Sequence, residues 1–292
     1  MHDDDGLSGF PDSARLVPRL VVLDSSASTN SALVELAQTA TGEARAAGSD
    51  DFTTVVTLDQ TAGRGRLGRT WAAPRGTSLA ISVLVRPRDR AGDAISPERL
   101  GWLPLIAGVA MTQAVRDLVP ARLVDLKWPN DVLVEGRKIC GVLTELLPAA
   151  DGVVIGAGVN LTMTREQLPV ATATSLALEG AAETGADAVL SAYLERLTAL
   201  VDAYRDTGAD AETSGIRALA ESLCGTLERR VRVELPGAAR PGAPAVHELL
   251  GTAVGLDAAG RLLVRRDADQ VVVPVAAGDV THLRHQPEAA TS

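Results

Sequence analysis

Lysine is nearly missing from this chain. Only Lys127 and Lys138 occur, against 26 arginines, and asparagine occurs three times, at Asn30, Asn130 and Asn160. Ordinary proteins use lysine as one of their commonest residues, so the composition has shifted toward Arg, Ala, Gly and Val wherever a substitute serves. The residues that escape the shift cluster in Ser28-Thr29-Asn30, Lys127-Trp128-Pro129-Asn130-Asp131, Arg137-Lys138 and Gly158-Val159-Asn160. A lysine kept in such a background points to work that needs a compact ammonium rather than a planar fork. Chance retention on the surface is the alternative, and the neighbouring glycines and the Trp-Pro pair weigh against it.

Other shortages exclude whole classes of function. Aromatic residues are 2% of the chain and the net charge is −9. The first argues against base-stacking platforms, the second against a basic face for nucleic acid or a membrane surface. Histidine occurs only at His2, His247, His282 and His285, so residues 3–246 hold no imidazole. That stretch can build neither a Ser-His-Asp triad nor a histidine zinc site, and no ligand set for a resident metal is read. Neither lysine lies in a GxxxxGK[ST] phosphate loop. The two cysteines, Cys140 and Cys224, form no CxxC pair and read as reduced apolar residues of a cytoplasmic protein. No apolar run is long enough to span a bilayer, and the acidic start Met1-His2-Asp3-Asp4-Asp5 is unlike a signal peptide.

An apolar content of 46% in 292 residues allows one large domain or two smaller ones. Residues 1–18, polar and broken by proline, read as a flexible tail. Strands are expected at Arg19–Asp24, Phe52–Leu58 and Ser78–Val85. Helices are expected at Ser28–Gln38, with Leu33, Leu36 and Ala37 on one face, and at Leu100–Leu118. Val132–Val134 and Ile139–Leu146 form a hairpin turning at Glu135-Gly136, and a strand from Val153 runs into Gly156-Ala157-Gly158-Val159-Asn160. Residues 187–222 read as two helices, with loops at Thr41–Asp51 and Arg240–Pro244. After Cys224 short β-rich runs separated by turns predict a small barrel over 224–285, followed by a tail at 286–292. The fold class is α+β: a mixed sheet flanked by helices over 19–223, then a small β domain.

Gly63-Arg64-Gly65-Arg66-Leu67-Gly68-Arg69 contains a formal GxGxxG. A dinucleotide site needs a helix to open at that loop, and Thr70-Trp71-Ala72-Ala73-Pro74 cannot open one cleanly. What remains is a set of arginines on a backbone that glycine allows close to a ligand, suited to gathering more than one anion. A solvated basic loop or a nucleic-acid contact is the alternative. Beyond Pro129, Asn130 offers a donor and an acceptor and Asp131 an acceptor for an amine or a site near Mg²⁺. The tight turn at Glu135-Gly136 brings Lys138 back beside Asp131; the bland readings are a turn-forming Asp and an exposed lysine.

These motifs, in this order and spacing across residues 24–162, resemble the biotin protein ligases. The matching segments are Ser28-Thr29-Asn30, Gln60 before Gly63–Arg69 and Thr70-Trp71, Lys127–Asp131, Arg137 to Glu145, and Gly156–Asn160. The β tail, with Gly278-Asp279-Val280 before Leu283-Arg284, resembles their C-terminal SH3-like barrel. The resemblance implies a class II synthetase-like catalytic domain and a two-step reaction. Biotin and ATP give biotinyl-5′-AMP with the help of Mg²⁺, and a lysine of a biotin carboxyl carrier domain of an acyl-CoA carboxylase then takes the biotinyl group. It also implies that Ser28, Thr29 and Gln60 bind the ureido ring, with backbone around Asn30 and Gly63 to Gly65 closing over it. Arg66 and Lys138 would hold carboxylate and α-phosphate, and Arg64 and Arg69 would order the loop over the phosphates. Trp71 would lie against adenine with Lys127, Asn130 and Asn160 on the nucleotide side. Asp131 would orient the metal or the incoming amine, and Gly141 would leave room for the bicyclic ring. The short acidic start predicts a ligase without a DNA-binding domain. A lipoyl or octanoyl ligase of similar fold and a non-catalytic biotin-binding protein are the alternatives; whether the chain is a monomer or a homodimer stays open.

Overall fold

The computed structural model describes residues 9–39, 50–236, 246–276 and 279–282. The expected loop at 240–244, most of that at 41–51, the tail at 286–292, and Gly278, Leu283 and Arg284 lie outside the described residues.

The strands are β1 (Leu20–Leu23), β2 (Thr54–Thr57), β3 (Gly63–Arg64), β4 (Thr70–Trp71), β5 (Ser78–Val85), β6 (Val124–Lys127), β7 (Asp131–Val134), β8 (Arg137–Leu146) and β9 (Val153–Asn160) in the first region. Its helices are α1 (Thr29–Thr39), α2 (Leu103–Leu118), α3 (Ala186–Asp206) and α4 (Ile216–Leu223). Seven strands form one mixed sheet in the order β1-β2-β5-β9-β8-β7-β6. Only β1 and β2 pair in parallel; the remaining ladders are antiparallel. β3 and β4 form a separate two-stranded hairpin.

Strand periodicity sends alternate side chains to opposite faces. On β5, Leu79, Ile81, Val83 and Val85 enter the main core, as do Ile155, Ala157 and Val159 on β9; α2 covers that face and α3 packs on α2. On the other face α1 buries Leu33 and Ala37 against Val55, Leu84 and Val154. Beyond α1 the same face presents Ser82, Gly156, Gly158 and Asn160, with Gly141 and Leu143 beside them on β8. Among the described residues no helix covers it there, and the β3–β4 hairpin brings the Trp71 indole over Gly158.

Two local features differ from expectation. Helix α2 starts at Leu103, not Leu100, because residues 97–102 form a 3-10 turn and Pro104 sits in the first helical turn. Residues 9–18 are not a free tail: Phe10, Ser13 and Val17 are buried, and the Ser13 N–H donates to Asp187 Oδ1 at 2.9 Å, tying the segment to the start of α3.

After α4 the chain builds β10 (Arg230–Pro236), β11 (Val246–Leu256), β12 (Leu262–Arg266), β13 (Val272–Val275) and β14 (Asp279–His282). They form an antiparallel sheet in the order β13-β12-β11-β10-β14. Its inward residues Val231, Val233, Ala253, Leu262 and Val264 merge with the core of the first region. Two buried indoles stitch the regions together: Trp102 Nε1 donates to the Ala258 carbonyl at 2.8 Å and Trp128 Nε1 to the Gly260 carbonyl at 3.1 Å. Among the described residues, no helix is long and apolar enough to cross a membrane.

Candidate active site

The uncovered sheet face holds a narrow slot lined by Ser28, Thr29, Asn30, Gln60, Arg64, Trp71, Gly141, Leu143 and Gly156, with apolar Ile81 and Ala157. Its polar end is the start of α1. The first N–H groups of a helix lack intrahelical partners, and here the Thr29 N–H donates to Gln60 Oε1 at 2.9 Å while Ser28 Oγ accepts from the Ser31 N–H at 3.4 Å. Thr29 Oγ1 also donates to Gln60 Oε1 at 3.2 Å. Fully buried Ser82 lies beneath, 2.8 Å from Thr29 Oγ1 and 2.6 Å from Asn30 Oδ1. Asn30 Nδ2 donates to Glu145 at 2.7 Å, and Arg64 pairs with the same carboxylate at 3.0 Å. Apart from the Trp71 indole, the polar groups of the slot form one hydrogen-bonded network, the kind that fixes side chains in one arrangement.

Glycines make the space for it. A Cβ on Gly156 would stand 2.3 Å from Asn30 Oδ1, and one on Gly158 would stand 2.7 Å from the Trp71 indole. Gly141 lines the slot, and Lys138 lies over it: a Cβ there would stand 2.9 Å from Lys138 Nζ. A β-bulge makes that contact possible. Leu133 pairs with Lys138 but Val132 pairs with Cys140, leaving Ile139 as the extra residue. Residues three apart on a strand normally face opposite ways; the bulge puts Lys138 and Gly141 on one face and re-aims the lysine. Its Nζ rests 2.7 Å from Asp131 Oδ1 and 6.0 Å from the Trp71 ring centre.

Lys138 and Trp71 also line an adjoining pocket of about 590 Å³ with Arg69, Lys127, Asp131, Asn160, the 169–173 segment and His282. Among the described lining residues, three cationic side chains meet one carboxylate there. Burial pushes the Lys127 ammonium below its usual range; Asp131 opposes that shift, and Lys138 and Arg69 add to it. Asn160, buried, donates to the Thr174 carbonyl at 2.8 Å. Trp71 Nε1 is buried and, among the described residues, lacks a hydrogen-bond partner.

The arginine loop is a formed hairpin. Gly63 pairs with Trp71 and Arg64 with Thr70, around a turn in which Leu67 (φ 56°) and Gly68 (φ 73°) are left-handed. Its arginines point to different places. Arg64 serves the slot, Arg69 the pocket, and Arg66 donates to Asn130 Oδ1 at 3.1 Å. Asn130 and Arg66 line a third space, a cleft of about 690 Å³ between the two regions that also meets Glu98 and Arg261.

The structure thus gathers Ser28, Thr29, Asn30, Gln60, Arg64 and Gly141 at the slot and Arg69, Lys127, Asp131 and Asn160 at the pocket. Trp71 and Lys138 stand at the border, and Asn130 and Arg66 are to one side. Ser82 and His282 were not among the expected site residues, and Glu145 was expected only as the end of the family-like segment that starts at Arg137. Ser82 had a signal, since Ser78, Ala80 and Ser82 form a small polar face on an apolar strand. His282 had none: the second region folds back and brings an imidazole to a site whose own stretch holds none. Cys140 is fully buried, and burial pushes its thiol up to about 12, as for an inert cysteine.

The profile of the Biotin/lipoate A/B protein ligase family matches residues 30–160, and that of the biotin protein ligase C-terminal domain matches residues 247–283. A biotin–[acetyl-CoA-carboxylase] ligase of Mycobacterium tuberculosis is 39% identical over 245 residues, covering 82% of this chain and 84% of the relative. The chain belongs to the biotin protein ligase family. A second such ligase, from Paracoccus denitrificans, is 31% identical and covers 76% of this chain and 88% of its own length. The biotin protein ligase of Aquifex aeolicus in complex with biotin and ATP superposes with a TM-score of 0.68 at 25% identity, over 91% of this chain and 99% of that one. The Leishmania major biotin protein ligase with biotinyl-5-AMP gives 0.57 at 27% identity, over 89% and 99%. As a biotin protein ligase, the chain is an enzyme that activates biotin with ATP and transfers it to carrier proteins.

Proposed function

We propose that the slot holds the biotin ring and the cation-lined pocket holds MgATP, so that Lys138 stands where the two substrates react. In the first step a biotin carboxylate oxygen attacks the α-phosphorus, and pyrophosphate leaves with the bond electrons. In the second, the amine of a carrier lysine attacks the acyl carbon of biotinyl-5′-AMP, AMP leaves, and the amine loses a proton. The carrying observation is the position of Lys138, which lies over Gly141 of the slot, is ion-paired to Asp131, and forms part of the pocket wall. A fixed ammonium there stabilises charge that develops on the α-phosphate, with no reorganisation at the moment of reaction.

Ser28, Thr29, Asn30 and Gln60 read the ureido group, with Gly63, Arg64 and Gly65 closing the slot. Lys127, Arg69, Trp71 and Asn160 take the nucleotide. Arg66, with Asn130, comes to the carboxylate and phosphate from the interdomain side. Asp131 is the one carboxylate on the described wall of the pocket. Mg²⁺ usually keeps its water and is held through substrate phosphates and one or two carboxylates, which fits a metal that arrives with ATP. We read residues 19–223 as the catalytic domain of class II synthetase type and 224–285 as an SH3-like barrel. The acceptor is the biotin carboxyl carrier domain of an acyl-CoA carboxylase, and the reaction takes place in the cytoplasm.

The test is biotin-dependent exchange of labelled pyrophosphate into ATP, with lipoate in a parallel tube. Exchange with biotin alone is expected. Exchange with lipoate alone would change the substrate assignment, and no exchange with either would remove the catalytic reading of the site.

A further inference from the structure

Trp128 lies between Lys127 and the Pro129-Asn130-Asp131 turn, and the C-terminal region grips it at two points. Its indole Nε1 donates to the Gly260 carbonyl, and its backbone N–H donates to Thr226 Oγ1 at 3.1 Å. Thr226 is fully buried, and its oxygen lies 3.1 Å from Nε2 of His282 on β14. A hydroxyl carries one hydrogen and two acceptor positions. With one acceptor position taken by Trp128, the hydroxyl hydrogen needs an acceptor of its own, and Nε2 of a neutral imidazole is one. The Cys224 thiol is the other titratable group at this hydroxyl; burial keeps it protonated, so it is a poor acceptor. Lys127 and Arg229 are the cations that His282 feels, and both disfavour a charged ring.

We propose that His282 and Thr226 are positioning residues for adenylation: their hydrogen-bonded chain sets the Trp128 backbone and with it the placement of Lys127 and Asp131. The C-terminal β region then acts on catalysis through a two-bond linkage as well as by covering the pocket. A displacement of about 1 Å in a positioning group can lower a rate by up to about 10²-fold, so loss of one hydrogen bond in such a chain is expected to matter.

This inference rests on the assignment of Lys127 and Asp131 to the nucleotide, and biotin-dependent exchange by the wild-type enzyme is the control for that assignment. The variants are Thr226→Val, His282→Leu, His282→Gln and the Thr226→Val/His282→Leu double, each measured for pyrophosphate exchange and for biotin affinity. Thr226→Val and His282→Leu should each lower kcat about tenfold with biotin affinity unchanged. His282→Gln, whose amide oxygen can replace Nε2 as acceptor, should recover to within about threefold. The double variant should be no slower than Thr226→Val, because both changes break one chain. If Thr226→Val does not fold, the Leu–Gln comparison at His282 decides alone. Equal rates for His282→Leu and His282→Gln, at either the wild-type or a reduced level, would overturn the proposal, as would effects that multiply in the double variant. An inactive wild-type enzyme would instead remove the functional reading on which it stands.

Discussion

The slot and the pocket are neighbours with opposite designs. In the slot the polar groups other than the Trp71 indole are matched: Ser82 to Thr29 and Asn30, Thr29 to Gln60, Asn30 and Arg64 to Glu145. In the pocket, Arg69, Lys127 and Lys138 share the described wall with one carboxylate, Asp131. A neutral ring is recognised by groups already held in place, since ordering them at the moment of binding would cost affinity. A polyanion is drawn by positive charge the protein leaves in excess. The two designs meet at Lys138 and Trp71.

The sharpest way to break this comparison is at the meeting point. Lys138→Ala should lower pyrophosphate exchange by about 10²–10³, the usual effect of removing a fixed group that stabilises developing charge. Lys138→Arg should still lose at least about tenfold, or about 1.4 kcal/mol of barrier. The space over Gly141 is fitted to a slender ammonium chain, and a planar fork fills it differently. Near-normal turnover of Lys138→Arg would show that charge alone matters there.

The slot should respond in affinity rather than rate. Ser82→Ala leaves Thr29 and Asn30 short of a buried partner, a loss of about 1–3 kcal/mol. Biotin affinity measured by calorimetry should fall about tenfold, with exchange restored at saturating biotin. A drop in the rate at saturation would mean that the slot also shapes the transition state.

The smallest effect concerns the charge excess of the pocket. Burial first, then Lys127 and Arg229, push the His282 imidazole down to about 4. Its unfolded value is about 6.5, so between the two the unfolded chain binds more protons than the folded one and stability rises with pH. The contribution of neutral His282 is fully present above about pH 6.5 and lost as pH falls toward 4. Urea unfolding of the wild type and of His282→Gln should show a stability difference that shrinks over that window. A difference independent of pH would show that His282 keeps its ordinary value in the folded chain, and neither burial nor the neighbouring cations would then act on it.

Much of this was legible locally. The run Ser78–Val85 carries β-branched and aliphatic residues without a breaker, and it is a strand over that range. Glu135-Gly136 needs two left-handed residues in a tight turn, and Glu135 (φ 50°) and Gly136 (φ 75°) supply them. The return of Lys138 to Asp131 follows from that turn. The start of α2 was misplaced because residues 97–102 keep apolar spacing while adopting a tighter helix.

The amino-acid sequence by itself determined the membership of the family, the sheet-forming segments and the small set of lysines, asparagines and glycines that build the site. Those depend on residue type and short spacing, which a chain carries before it folds. Only the tertiary structure decided which glycine makes room for which side chain, that a bulge at Ile139 turns Lys138 onto the face of Gly141, and that Arg64, Arg66 and Arg69 part to three different walls. It also decided that an imidazole reaches the site from β14. These are contacts between residues distant in sequence, set when packing of the shared core brings the two regions together, and no local pattern encodes them.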